Sequence, residues 1–539
     1  MYLLGINKRK INLKTYIDDK KMLANTFNVE SKNVEEKGSE IYSTYTYETS
    51  KVVSNEKGIS IVPYSKKIEF KTETKIPKLG VMIVGWGGNN GTTVTNGILA
   101  NKLSLKWETK RGEVKANYHG SLTQCSTTYL GQDENGKTYV APFKSLVPMV
   151  EPNDIVVSGW DISKLNIYEA TKRAKVLEPT MYMQMKQELE KMVPLPAVFD
   201  LSFVAPNQES RADNVIEGNK EKQLETVRQN IRDFKKNNNL DKVIILWNGN
   251  TERFCEVDPK IHGTADSLLL GIKNNEKEIS PSTIYCLASI LEHCPYINGS
   301  PQNTFVPGVI DLAEREGVIL MGDDMKTGQT KLKSVMADFL INSGLKITAV
   351  ASYNHLGNND GLNLDYYKCF RSKEITKASV IDDMVGNNPI LYPSQEHPDH
   401  LVVIKYVPSV GDSKRALDEY DSSIFCGGEN IISIHNTCED SLLAAPLILD
   451  MIILMEAFSR IMVKDEKMDK FKHMACIHSV LSFLFKAPRT PNNSPVINSL
   501  FQQRACLENT LRACRGLQPL NHMHLEWKMP SEKQNEPSA

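Results

Sequence analysis

The stretch VGWGGNNGTT, Val84 to Thr93, follows the apolar run VMI at 81–83 and opens a segment with helical spacing. Strand, glycine-rich turn and helix is the context in which backbone amides cradle a dinucleotide pyrophosphate. The fingerprint G-x-G-x-x-G places glycine at 85, 87 and 90, but position 90 is Asn90 and the glycine is displaced to Gly91. Two readings are open. Gly85, Gly87 and Gly88 either approach a cofactor or merely supply the backbone freedom of a tight turn. Asn89 and Asn90 fit the first, because asparagine tolerates left-handed backbone and its amide can bond phosphate. Thr92 and Thr93 stand where hydroxyls cap amides or meet an anion.

A nicotinamide cofactor usually meets a carboxylate about 20 residues beyond the glycines, at the end of the second strand. No strand pattern lies there. The next one ends in SGWDI, so Asp161 is the expected acid, with Tyr118 to Phe143 read as an insertion before it. An acid at that strand end favours NAD over NADP, although Asp161 could equally cap the helix that follows.

Composition narrows the class. Among 539 residues, 64 Lys+Arg against 65 Asp+Glu argue against a polyanion-binding surface, and nucleic acid is not expected as a partner. Ten cysteines without a C-x-x-C pair read as reduced thiols of a cytoplasmic protein. The start, MYLLGINKRKINLK, lacks the apolar core of a signal peptide. The longest apolar segment, Leu442 to Phe458, carries Pro446, Asp450 and Glu456 and reads as a buried helix, not a membrane span.

Alternating patterns in residues 1–78 predict an N-terminal arm with short strands, its first twenty or so residues loosely ordered. From 79 to 326, VMIVG at 81, DIVVSGW at 154, VFDLSF at 198, KVIILWN at 242 and GVILMG at 317 read as strands separated by helices. That alternation predicts a parallel sheet covered on both faces. A second α/β unit spans 327–440, with helix QTKLKSVMADFLINSG and strands LKITAVASYN, HLVVIKYVP and NIISIH. Four apolar helices or half-helices follow between Ser441 and Leu517, and the tail SEKQNEPSA reads as disordered.

Three polar clusters carry candidate chemistry. Asp323 and Asp324 follow a strand and are either metal ligands or helix-start acids. SYNHLGNNDG, Ser352 to Gly361, is a polar turn or a ligand pocket. Lysines form the third: Lys373 and Lys377 share a helix face, Lys414 lies in VGDSKRA, and Lys486 follows the apolar SVLSFLF. A buried lysine must find an anion or lose its proton, and either outcome suits catalysis on a phosphorylated carbonyl compound. QEHPDH, with His397, Asp399 and His400, reads as a surface turn and not a metal site.

Taken together, GWGGNNGTT, GSLTQCST, APFKSLVPMV, NDIVVSGWDI, NGSPQNTFVPG, GDDMKTGQTKLKS, SYNHLGNNDG, RSKEITKASVIDDM, VGDSKRALDEY and SIHNTCEDSLLAAPLILD resemble the eukaryotic inositol-3-phosphate synthases, also called myo-inositol-1-phosphate synthases. The resemblance runs from about residue 40 to 517. It departs in Thr327, where serine is common, and in WNGNTER where other members carry WTANTER.

The resemblance implies conversion of D-glucose 6-phosphate to 1D-myo-inositol 3-phosphate, the first committed step of inositol biosynthesis, with NAD as cofactor. The need for a monovalent or divalent cation, and any metal ligand, stays open. It implies a Rossmann-type NAD-binding domain completed by the C-terminal helices (441–539), a central catalytic and oligomerisation α/β domain, and a cytoplasmic homotetramer. Gly85, Gly87, Gly88, Asn89, Asn90, Gly91, Thr92, Asp161, Asn250, Thr251 and Asp324 would hold the cofactor. Thr327, Asn354, Asn358 and Asn359 would bind substrate. Lys373, Lys377, Lys414, Lys486, Asp360 and Asp440 would form the catalytic set. Lys486 and Lys373 would face the oxygens where negative charge develops, with Lys377 and Lys414 on the phosphate. Two rivals are a dehydrogenase that releases NADH and a catalytically inert NAD-binding regulator.

Overall fold

The computed structural model describes residues 21–56, 58–474, 477–486, 497, 499–525 and 528–529. The expectations for the first twenty residues and for the tail 531–539 lie outside them. Between 40 and 73 the chain forms a hairpin of β1 (Glu40–Asn55) and β2 (Gly58–Glu73), paired along its whole length. These strands have 16 residues each, longer than the short strands predicted, because β-branched and aromatic residues recur without a break. The hairpin is docked: Ser43 Oγ donates to the Ala513 carbonyl at 2.7 Å.

The glycine-rich turn joins β3 (Leu79–Val84) to α1 (Asn89–Lys102). Then come β4 (Val156–Asp161), α2 (Ile167–Ala174), β5 (Leu195–Pro196), α3 (Lys220–Asn237) and β6 (Lys242–Trp247). α4 (Pro281–Leu291), β7 (Tyr296–Asn298), α5 (Pro307–Glu316) and β8 (Leu320–Gly322) complete the sheet. Its order is β5-β4-β3-β6-β7-β8, all parallel. The first strand lies at the centre and the direction of winding reverses beside it, so a ligand crevice opens where β3 and β6 end. Alternate residues of β3 point to opposite faces: Val81 and Ile83 enter one apolar core, Met82 and Val84 the other.

In this sheet one predicted strand is absent and Tyr296–Asn298 was not foreseen; elsewhere Ser413–Ser423 and Ile461–Asp465 also form strands that no predicted segment covers. VFDLSF gives no strand beyond Leu195–Pro196, because Ser202 turns the chain by donating its N–H and hydroxyl to Asp200 Oδ1 at 2.9 and 2.7 Å. The strand Tyr296–Asn298 is only three residues long and carries no periodicity to read.

A second layered unit follows. α6 (Gly328–Asn342) leads to β9 (Lys346–Leu356), α7 (Tyr367–Val385), β10 (Asp399–Tyr406), β11 (Ser413–Ser423) and β12 (Glu429–Glu439). The sheet order is β10-β9-β11-β12, parallel at the first pairing and antiparallel at the others. α6 and α7 cover one face. The other exposes Tyr353, Leu401, Leu417 and Ile431.

α8 (Asp440–Phe458) then returns to the first sheet and is buried against β3. Among the described residues it is the one helix long and apolar enough to cross a membrane, and 89% of its apolar window is buried inside the protein. β13 (Ile461–Asp465) pairs antiparallel with β2, and α9 (Leu500–Cys514) packs on the same core. Besides α8 and α9, the described part of 441–517 holds only the single-turn helix Ile477–Val480, so three of the four expected helices are present there.

The displaced glycine has a packing reason. A methyl on Gly91 would lie 2.4 Å from the Trp86 carbonyl oxygen and 2.9 Å from that of Gly85. Gly91→Ala is therefore expected to destabilise the fold by about 1–3 kcal/mol, the cost of overpacking a close contact. A denaturation midpoint equal to that of the parent would contradict this account of the turn.

Candidate active site

Gly85 takes a φ of +82°, and a methyl there would meet Gly249 Cα at 2.7 Å, so the turn after β3 lies against the loop after β6. Gly88 is the residue before the first turn of α1, which aims its amides at the cleft. Asn89 and Asn90 join that cleft's wall, their amides donating to Asp412 Oδ1 at 3.2 Å and Asn248 Oδ1 at 3.1 Å. Thr92 donates its hydroxyl to the Gly88 and Asn89 carbonyls, at 2.9 and 3.0 Å, and does not line the cleft.

Asp161 ends β4 as expected, but does not cap the next helix, which Asn166 caps. Its carboxylate accepts N–H bonds from Gly87 at 2.8 Å and Ser163 at 2.9 Å, and burial raises its pKa. The acid thus braces the glycine turn and still faces the cleft. Arg211, on the cleft wall, was not picked out in the sequence; burial lowers its pKa to about 10. Neither was Gln208, whose Oε1 accepts from Asn250 Nδ2 at 3.0 Å and Asn359 Nδ2 at 2.9 Å. No motif marks the segment that holds both.

The closed end of the cleft gathers lysines from segments far apart in the chain. Asp324, buried just beyond β8, is clamped between Lys486 Nζ on one oxygen and Lys373 Nζ at 3.1 Å on the other. Burial opposes its charge, yet the two ammonium groups hold its pKa at about 2. Burial also depresses Lys373, but Asp324 and Asp360 outweigh it and keep that ammonium above the ordinary lysine range. Lys486 is not so compensated: burial, only partly offset by Asp324, brings it down to about 8. Lys414 pairs with Asp440 at 3.3 Å. Lys377, one turn beyond Lys373 on α7, is buried behind the cleft wall, and burial with Lys414 and other lysines pushes its pKa far down. Its Nζ has no hydrogen-bond partner among the described residues.

The Asp323–Asp324 pair therefore marks an ion-pair hub and not the acid pair of a helix start. Asn358 and Asn359 line the cleft, and Thr251 Oγ1 donates to Asp360 Oδ1 at 3.1 Å. Thr327 immediately precedes α6 and lines the same space. Asn354 lies beneath, its amide donating to the Val403 carbonyl at 3.2 Å. His397 is exposed in its turn, whereas His400 points inward from β10 to Lys333 Nζ at 3.0 Å. No cluster of three or more His, Cys, Asp or Glu gathers as a metal site among the described residues.

Asp412 and Lys333 were also missed. Asp412 accepts from Asn89, Asn358 and Ser441, so it ties the glycine turn to the lysine end; its signal was its place two residues before Lys414. The cleft, about 1340 Å³ including space open to solvent, exceeds the roughly 300–1,000 Å³ of a single drug-sized ligand. A dinucleotide fits its glycine-lined arm, where Gly85, Gly88 and Asp161 form the wall. The lysine end remains for a second, anionic ligand.

Asp161→Ala should weaken NAD binding by about 1.5–3 kcal/mol, the worth of hydrogen bonds to a charged group. NAD affinity unchanged in a folded variant would make Asp161 a structural brace alone.

The comparisons with known proteins agree with this geometry. The family model described as myo-inositol-1-phosphate synthase, an NAD-binding family, matches residues 79–512. The chain is 56% identical over 508 residues to "Inositol-3-phosphate synthase 1-A" of Xenopus laevis, covering 94% of this chain and 90% of that protein. It is 54% identical over 510 residues to "Inositol-3-phosphate synthase 1" of Oryza sativa subsp. japonica, covering 94% of this chain and all of the rice protein. The crystal structure of inositol-3-phosphate synthase from Caenorhabditis elegans superposes with a TM-score of 0.91 at 47% identity, over 95% of this chain and all of that one. With the dinucleotide turn and the lysine-lined cleft, these matches place the chain in the myo-inositol-1-phosphate synthase family.

Proposed function

We propose that this protein is an inositol-3-phosphate synthase that converts D-glucose 6-phosphate to 1D-myo-inositol 3-phosphate. The observation that carries the reading is the excess of buried ammonium groups where the dinucleotide cleft closes. Lys373, Lys414 and Lys486 pair there with Asp324, Asp360 and Asp440, and Lys377, buried beside them, has no carboxylate partner among the described residues. An uncompensated buried cation calls for an anion, and a sugar phosphate supplies one.

NAD, when bound, supplies the oxidation at C5 and the later reduction at the same carbon. The chain's own residues supply the rest. Lys377 and Lys414, with the first-turn amides of α6, hold the phosphate as point charges and helix-terminus donors. The C5 hydroxyl must lose a proton as it becomes a ketone and regain it at the end. Lys486, with a pKa of about 8, takes that proton and returns it. The ketone acidifies C6, whose proton passes to the substrate's own phosphate; the enolate attacks the C1 aldehyde, and that proton then goes to the C1 oxygen. Lys373 keeps its charge and faces the oxyanion that forms at C1. Asn358 and Asn359 orient hydroxyls between these two ends, and Asp360 and Asp440 hold Lys373 and Lys414 in place. Asp324 sets the spacing of the two reacting lysines.

The reading extends to a cytoplasmic homotetramer. The outer face of the central sheet supports the assembly, since Leu417 and Ile431 are 52% and 57% exposed beside Tyr353 and Leu401. A second copy covers such a face most simply.

Incubating the purified protein with NAD and glucose 6-phosphate should yield an inositol phosphate by phosphorus NMR without growth of NADH absorbance. Steady NADH release would identify a dehydrogenase, and no turnover a regulator. Lys486→Met keeps the aliphatic stem, so binding should survive while turnover falls by about 10²–10⁴, as when a positioned acid–base group is lost. Because Lys486 starts as the proton acceptor, kcat/KM should rise as pH increases through about 8. Near-parent turnover in the methionine variant, or the opposite pH limb, would remove Lys486 from this role.

A further inference from the structure

Behind Lys377 of the proposed phosphate site stands a further buried lysine, Lys333, that the reaction does not use. Lys333 on α6 and Lys377 on α7 are both buried between these helices and the central sheet. Lys333 Nζ lies 3.0 Å from His400 Nε2, and Lys377 Nζ has no hydrogen-bond partner among the described residues. Three carboxylates of the region are paired with other lysines, and the fourth, Asp418, acts on Lys333 from beyond ion-pair distance. Asp324 pairs with Lys373 and Lys486, Asp360 with Lys373, Asp440 with Lys414, and Asp418 Oδ1 accepts from Gln329 at 2.6 Å. Neither Lys333 nor Lys377 forms an ion pair among the described residues.

The groups facing these two come from every surrounding element. α6 contributes Gln329, α7 Lys373, β10 His400, β11 Lys414 and Asp418, and the strand-like segment beside Met325 contributes Lys486. His400 offers no counter-charge, since an imidazole is at most cationic; burial and both lysines hold it neutral, with a pKa of about 3. Two buried ammonium groups with no carboxylate in ion-pair contact are costly, and such a pair relieves the cost by giving up a proton.

We propose that binding of the substrate's phosphate draws a proton from solvent into this pair, so that Lys333 and Lys377 hold fewer than two protons in the open site and two beneath a bound dianion. The proposal rests on the reading of the cleft as a phosphate-ester site. Burial sets Lys333 at about 8 and Lys377 well below its ordinary value in the open site. A dianion raises both. Affinity is therefore greatest where both are already protonated and falls as pH rises from the open-site values towards the bound ones. Lys333 acts here as a positioning residue: it does not touch substrate but sets the proton content of the lysine that does.

The test is calorimetric titration of glucose 6-phosphate into protein loaded with NADH, which blocks oxidation at C5. At about pH 8 the phosphate ester is a dianion in solution and brings no proton of its own. Titrations in buffers of small and large ionisation enthalpy should give apparent enthalpies that differ by the uptake of about one proton per site. Enthalpies independent of buffer, with binding intact, would overturn the proposal and leave the substrate reading standing. No binding in any buffer would overturn both. In Lys333→Met the uptake should fall to half or less, because Lys377 then keeps its proton in the open site. Parental uptake in this variant would place the proton elsewhere and overturn the assignment. The parent measurement needs no variant, so a misfolded Lys333→Met does not shelter the proposal.

Discussion

The active end of this protein is organised by one buried carboxylate. Asp324, at the exit of the last strand of the parallel sheet, accepts from Lys373 of the central helix and Lys486 of the returning C-terminal segment. Three segments far apart in sequence converge on it. Its backbone adds to the junction: the Asp324 carbonyl accepts from Lys486 N–H at 2.9 Å, and Lys326 N–H donates to the Leu484 carbonyl at 2.8 Å. A single carboxylate cannot balance two buried ammonium groups. The same contact that fixes their geometry therefore leaves them unequally compensated, since Asp360 supplies Lys373 alone with a second carboxylate.

That imbalance separates the two lysines chemically. Lys373 has Asp360 as a second partner at 3.8 Å and stays charged, whereas Lys486 shares Asp324 alone and titrates near 8. Two side chains of one type, held by one acid, so acquire different protonation behaviour from burial and pairing. The crevice of the doubly wound sheet opens beside β3 and β6 and closes against Asp324. Asp412 and Gln208 stitch the two layered units across the cleft, so its cofactor arm and its lysine end share one rigid wall.

Much of this was legible in the chain. The strand–glycine–helix context of Val84 to Thr93 announced the parallel sheet, and Gly91 proved to sit where only a glycine fits against Trp86. The lysines in RSKEITK, VGDSKRA and FLFKAP stood out because charge amid apolar sequence must be neutralised somewhere. What stayed hidden depends on tertiary contact. Asp324 gave no sign of which lysines would meet it, Gln208 and Arg211 lie in a segment without periodicity, and His400 alternates inward only once β10 is formed. The loop at Asp200 overrode strand propensity by bonding its own neighbours, which a β-rich composition cannot reveal. The family resemblance named more of the site than spacing alone could, but Lys333 entered only through burial and partners.

The most direct test of the account is a crystal structure of the protein with NADH and glucose 6-phosphate. The account predicts phosphate oxygens within hydrogen-bond distance of Lys377 Nζ, Lys414 Nζ and the first-turn amides of α6, with C5 turned towards Lys486. A phosphate seated instead against Arg211 and the glycine turn, with Lys377 Nζ still without a partner, would contradict it.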